Sequence, residues 1–229
     1  MPAKALLVTG ASRGIGRACA LLAARNGWVV GVNYREDAKA ADAVVATIAK
    51  DGGRAVALKG DVAIEADAVA MFDAATKALG PLTAVIANAG IVAPTAKLAD
   101  MSAERMRRIF EVNVLDAFLT AREAARRLSK SSGGAGGSIV LMSSAAARLG
   151  SPNLYIDYAA SKGAIDTLTL GLAKELGPEG VRSTPFVRAS STPKSTPVAA
   201  SPTGQGFWAR PLRWAARAQP RRSLRRRFG

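Results

Sequence analysis

An apolar, strand-like run, Ala5–Thr9, passes straight into Thr9-Gly10-Ala11-Ser12-Arg13-Gly14-Ile15-Gly16 and then into a helical pattern, Gly14–Asn26. Closely spaced glycines let the backbone turn tightly and approach a ligand. A helix beginning just after the turn aims unpaired N–H groups at that ligand. The arrangement suits a pyrophosphate resting on the helix N-terminus, and it works only between a strand and a helix of a parallel α/β sheet. Within the helix, Ile15, Ala18, Cys19 and Leu22 are expected on one apolar face, with Cys19 a small core residue.

The alternation continues. Strands are expected at Val29–Asn33, Ala55–Lys59, Ala84–Ala87 and Ser138–Met142. Helices are expected over Asp37–Asp51, Glu65–Leu79, one long stretch Arg105–Ser129, and Tyr158–Leu176. Gly133–Gly137 reads as a flexible turn. Strands alternating with helices predict a Rossmann-type, doubly wound parallel sheet with helices on both faces and ligands at the strands' C-terminal ends.

Composition narrows the chemistry. Without histidine, a His base or His-ligated metal is excluded, and no metal site is expected. One cysteine permits no internal disulfide. No apolar run is long enough to span a membrane and no signal-peptide pattern opens the chain, so a cytoplasmic location is expected. The net charge of +15 is uneven. Residues 183–229 hold nine Arg, one Lys and no acid, and so carry +10 of it, leaving +5 for residues 1–182.

The spacing G-x-x-x-G-x-G resembles that of the classical short-chain dehydrogenase/reductase family. Four further segments, in the family's order through residues 1–182, carry the same resemblance. Asp61-Val62 resembles the pair that holds the adenine ring. Asn88-Ala89-Gly90 resembles the N-A-G element beside the cofactor. Asn113 matches the helix-kinking asparagine. Ser144, Tyr158 and Lys162 match the catalytic serine and the Y-x-x-x-K pair. The resemblance implies a hydride-transferring oxidoreductase acting on a small carbonyl or secondary-alcohol substrate, usually a homodimer or homotetramer. Gly10, Ser12, Arg13, Gly14, Ile15, Gly16, Tyr34, Arg35, Asp61, Val62, Asn88, Ala89, Gly90, Tyr158 and Lys162 would hold the cofactor.

Cofactor choice is read at the end of the second strand. An acid there binds a ribose 2′-hydroxyl, whereas a cation accommodates a 2′-phosphate. Asn33-Tyr34-Arg35 puts Glu36 only afterwards, and Arg13 can face the same phosphate, so NADP(H) is favoured over NAD(H). Reducing a carbonyl leaves negative charge on oxygen and calls for a proton donor. A phenol holds its proton to about pH 10 in water, and a nearby cation favours the phenolate. Tyr158 and Lys162, four residues apart, share a helix face. In the family the lysine also binds the nicotinamide ribose, the serine steadies the developing charge, and the asparagine holds a water. Spacing leaves Ser143 and Ser144 open; resemblance to the family's second serine selects Ser144. Tyr155 has no lysine four residues on and reads as a loop or pocket residue.

After Arg182 the pattern stops. Ser183–Pro202 is rich in Ser, Thr and Pro, and Phe207–Phe228 scatters tryptophans among arginines. The domain is therefore expected to end incomplete at Arg182, without its final strands, followed by a poorly ordered basic tail over 183–229. One base inserted before the Ser183 codon, with G/C-rich wobble choices, allows a continuation beginning Val-Asn-Ala-Val-Arg-Pro-Gly, which restores the family's Pro-Gly element. That suggests a frameshift and a protein with little turnover. The other reading is a non-catalytic nucleotide-binding protein whose arginine-rich tail binds nucleic acid or anionic surfaces. Out-of-frame translation accounts for the arginines without selection, so nucleic acid is not the favoured partner.

Overall fold

The structure, a computed structural model, describes residues 4–188. Six parallel strands form one sheet in the order β3-β2-β1-β4-β5-β6. They are β1 Lys4–Val8, β2 Trp28–Tyr34, β3 Ala55–Lys59, β4 Ala84–Ala87, β5 Gly137–Ser144 and β6 Val181–Arg188. The helices are α1 Gly14–Arg25, α2 Ala38–Lys50, α3 Glu65–Leu79, α4 Ala103–Phe110, α5 Asp116–Leu128, α6 Ala146–Leu149 and α7 Ile156–Leu176.

Strand side chains alternate between the two faces, and β1 shows how each face is filled. Ala5 and Leu7 join one apolar cluster with Phe72 of α3, Leu128 of α5 and Ile165 of α7. Leu6 and Val8 join the other, with Ala20 of α1 and Val44 and Ile48 of α2. Because both faces are covered, β1 reads as an unbroken apolar run rather than an alternating one. The strand order reverses at β1, flanked by β2 and β4, which opens a crevice at their C-terminal ends.

Three expectations need correction. The buried face of α1 is set by Gly16 and Ala20, whereas Leu22 is 63% exposed, Ala18 is exposed and Cys19 is half-buried. Close backbone approach at Gly16 decides the helix's rotation, and the larger apolar residues follow. The expected long helix is interrupted by a π-helical turn, Glu111–Leu115, between α4 and α5. Such turns concentrate at functional sites.

The third correction concerns the sheet edge. A sixth strand was expected to be missing, yet Val181–Arg188 pairs in parallel with all of β5, six residues beyond Arg182. Backbone groups make a ladder whatever the side chains are, and an edge strand tolerates Pro185 because half its N–H groups need no partner. The side chains fit less well. Ser183 Oγ is buried without a hydrogen-bond partner. The expected tail, from residue 189 onward, lies outside the described residues.

Candidate active site

The glycine loop is held from two sides. From β2, buried Asn33 accepts a hydrogen bond at Oδ1 from the Gly10 N–H (3.0 Å) and donates from Nδ2 to the carbonyls of Leu58 (3.2 Å) and Gly60 (3.1 Å). From the end of β4, Asn88 Nδ2 donates to the carbonyls of Thr9 (2.9 Å) and Gly10 (3.1 Å). The backbone N–H groups of Asn88 and Ala89 donate to Thr9 Oγ1. Gly10 has φ +59°, and a Cβ on Gly16 would lie 2.5 Å from both Asn88 Nδ2 and the Gly10 carbonyl. Asn33 is a support that no motif flagged, and Thr9, at the head of the glycine run, carried no role in the motif; a buried polar residue at a strand end was the available signal.

This cradle fits a dinucleotide phosphate. The residue at the start of α1, Arg13, makes no side-chain capping bond, and the first turn holds no acid. The N–H groups of the first turn and the positive end of the helix dipole are thus left for an anion. Arg13 and Gly14 are exposed, Ser12 and Ile15 half-buried. At the end of β2, half-buried Tyr34 is followed by Arg35, which pairs with Glu36 (2.6 Å) and Asp61 (3.7 Å). Asp61 Oδ1 accepts from the Ala63 N–H, and Val62 is buried between them.

The second group lies at the ends of β4 and β5. Lys162 is 5% exposed, its Nζ donates to the Met142 carbonyl at 2.7 Å, and it stands 5.8 Å from the Tyr158 ring centroid. Burial pulls the ammonium down to about 8, against opposition from the charges of Asp116 and Asp166. The space beside Gly90 brings partners together. A Cβ there would be 3.2 Å from Asn113 Oδ1 and 3.6 Å from Lys162 Nζ.

Asn113, inside the π-helical turn, accepts from the Ile91 N–H (2.7 Å) and donates to the Ile91 carbonyl (2.9 Å) and Ser161 Oγ (3.1 Å). Ser161 in turn donates to the Tyr158 carbonyl at 2.7 Å. Asn113 and Ser161 thus tie the Tyr158 backbone to the segment after β4, while Lys162 is held by β5.

The adjacent serines part company because strand side chains alternate. Ser143 Oγ donates to Asp166 Oδ1 at 2.6 Å, which commits it to α7. Ser144 Oγ only accepts, from the Ala146 N–H at 3.2 Å, and keeps its own proton to give. Tyr155 precedes α7 and packs edge-on against Tyr158, with ring centroids 5.7 Å apart. Sequence motifs missed three acids here: Asp116, Asp157 and Asp166. Single carboxylates within helices carry no spacing signature.

The chain belongs to the short-chain dehydrogenase family: the family's model matches residues 4–188. It is an oxidoreductase by that membership, and the family's cofactors are NAD(P)(H). An uncharacterized oxidoreductase of Escherichia coli, YgfF, is 49% identical over 176 residues, covering 77% of this chain and 71% of the relative. The tetrahydroxynaphthalene reductase of Pyricularia oryzae is 35% identical, covering 76% of this chain and 59% of that enzyme. A crystal structure of a dehydrogenase/reductase from Sinorhizobium meliloti superposes with a TM-score of 0.78 at 34% identity, covering 84% of this chain and 74% of that one. Among the described residues no helix is long and apolar enough to cross a membrane, and no cluster of His, Cys, Asp or Glu could hold a metal ion.

Proposed function

We propose that the chain reduces a small carbonyl, or oxidises the matching secondary alcohol, with NADP(H) as the favoured cofactor and Ser144, Tyr158 and Lys162 as the acting residues. The observation that carries this reading is the buried Lys162 amine 5.8 Å from the Tyr158 ring, with Asn113 across the gap left by Gly90.

The Gly10–Gly16 loop would hold the pyrophosphate, Asp61 and Val62 the adenine, and Asn88, Ala89 and Gly90 the inner end of the cofactor. The nicotinamide supplies or accepts the hydride. Tyr158 gives its phenolic proton to the carbonyl oxygen as charge develops there. Ser144 donates to the same oxygen from the other side, since its hydroxyl proton is uncommitted. Lys162 stands beside the tyrosine with its amine 5.8 Å from the ring centroid, and Asn113 fixes the segment after β4.

Arg13 and Arg35 support the 2′-phosphate. Exposed ion pairs are worth about 0–1 kcal/mol, so Arg35 can leave Glu36 for a phosphate at little cost. The decisive experiment compares NADPH and NADH oxidation across a panel of carbonyls. Reduction should run faster with NADPH and fall at least ~100-fold in Tyr158→Phe while the variant stays folded. A clear NADH preference would reverse the cofactor assignment, and a fully active Tyr158→Phe would remove the mechanism.

We also infer that residues after Arg182 are read out of frame, in a cytoplasmic protein whose complete form assembles as a dimer or tetramer. Resequencing across the Arg182 codon, with the intact mass, tests it. An unbroken frame encoding Ser183 onward and matched by the mass would defeat it. The alternative, a non-catalytic nucleotide binder, predicts salt-sensitive RNA or DNA binding lost on deleting 183–229.

A further inference from the structure

Arg105 and Asp157 lie outside every sequence motif, yet they meet beside the tyrosine. Arg105 is on α4, and Asp157 is in the first turn of α7, one residue before Tyr158. Arg105 Nε donates to Asp157 Oδ2 at 2.8 Å and Nη2 to Oδ1 at 3.3 Å. Its remaining arm, Nη1, donates to the Pro94 carbonyl at 2.6 Å. The Asp157 carboxylate is 1% exposed and also accepts from the Tyr158 N–H at 2.9 Å. One planar guanidinium therefore ties α4, the start of α7 and the segment after Gly90. An ammonium could not make that three-way fork.

A second tie runs parallel to the first. The Ala96 N–H donates to the Leu154 carbonyl at 2.8 Å, joining the same post-β4 segment to the loop entering α7. That loop holds two non-glycine residues in the left-handed region, Ser151 (φ 47°) and Asn153 (φ 61°). Such conformations persist only where their surroundings enforce them. Together the ties fix where α7 begins, and with it where the phenol of its first turn stands.

We propose that Arg105 and Asp157 are positioning residues for Tyr158: their two-armed pair and the Pro94 contact hold the tyrosine at a set distance from the segment 91–97, and so set the seat of the reacting carbonyl. This rests on Tyr158 as proton donor. A pair serving stability alone would lower the melting temperature and leave the tyrosine's surroundings and the turnover of folded protein unchanged.

The chain has three tyrosines, Tyr34, Tyr155 and Tyr158, so the full chain labelled with 3-fluorotyrosine gives a 19F spectrum assignable with Tyr158→Phe. In Arg105→Lys and Asp157→Asn the Tyr158 resonance should move or broaden while that of Tyr34, at the far end of the site, stays. Turnover with NADPH should fall about 10- to 100-fold, the scale expected of a small misplacement. NADPH affinity should hold, and Arg105→Lys/Asp157→Asn combined should be no worse than the weaker single variant. A folded Arg105→Lys protein with an unmoved Tyr158 resonance and undiminished turnover overturns the proposal. Failure of the wild type to bind NADPH would instead sink the proposed function, binding without turnover would reflect the out-of-frame end, and in either case the 19F shifts would still report whether the clamp positions the tyrosine.

Discussion

The two ends of the β1–β4–β5–β6 half-sheet are built to different standards. At the β1–β4 end, Asn88 alone spans the Thr9 and Gly10 carbonyls, Thr9 Oγ1 takes two N–H groups, and Gly16 leaves no room for a methyl group. At the β6 edge the ladder runs eight residues, but Ser183 Oγ is buried unpaired, Pro185 sits within it, and Phe186 and Val187 are half exposed. The difference separates two requirements that usually coincide. Backbone pairing suffices to make a strand, whereas a site needs side chains that match each position.

The largest effect that tests this contrast belongs at the tight end. Gly16→Val would force a Cβ to 2.5 Å from a backbone oxygen, which has no rotamer by which to yield. Overpacking of that kind costs about 1–3 kcal/mol or more. In a domain this size that lowers the melting temperature by roughly 2–10 °C. NADPH affinity, read by quenching of nucleotide fluorescence, should fall to background. Retained affinity would mean that the loop has slack and that the contrast is misdrawn.

A smaller effect, dependent on pH, is expected between the two ends. Asp116 starts α5, is 1% exposed, and accepts only from Thr120 Oγ1, at 3.0 Å. Burial raises its carboxyl from 3.8 to about 7; Thr120 and Lys162 oppose the rise, and Asp61 adds to it. The fold thus binds a proton that the unfolded chain has already released. Stability should fall as pH rises from about 4 through 7, with the loss complete above 7. Asp116→Asn removes that titration. The variant's gain in melting temperature should grow from pH 4 to pH 8. A gain that does not change with pH would show that Asp116 does not titrate in that window.

How much of this could be read beforehand follows the same division. Glu65–Leu79 and Ala84–Ala87 were placed to the residue, because apolar period and flanking glycine or proline agree there. The Gly10–Gly16 loop and the Tyr158–Lys162 pair stand out in the sequence because each keeps a fixed spacing along the chain. Arg105, Asp157 and Asn33 do not, since each acts on a segment distant in sequence, and nor does Asp116, a lone helical carboxylate whose burial depends on tertiary packing. Arg105 and Asp157 are 52 positions apart. The break in the long helix at Asn113 was signalled only through the resemblance to the family's helix-kinking asparagine; the structure adds its partner, Ile91, 22 residues earlier. Strand β6 was missed for the opposite reason. Its sequence lacks an apolar period, and the edge of β5 supplied the pairing that periodicity could not announce.

The smallest effect lies at the loose end. Ser183 follows Val181 by two, so both point to the face where Val181 and Ile139 join the apolar cluster, and Ser183 stands opposite Ile139. A hydroxyl buried there without a partner costs about 1–3 kcal/mol. Ser183→Val removes that cost and adds apolar contact, and it is the residue that the restored reading frame places there. The melting temperature should rise by roughly 2–6 °C, with NADPH affinity unchanged. Ser183→Ala separates the two contributions, since it deletes the hydroxyl without filling the space and should recover only part of the gain. If neither substitution raises the melting temperature, β6 does not pack its Val181–Ser183 face against α7. The strand would then be a bare backbone ladder, and the contrast with the glycine loop would be wider than the buried hydroxyl alone implies.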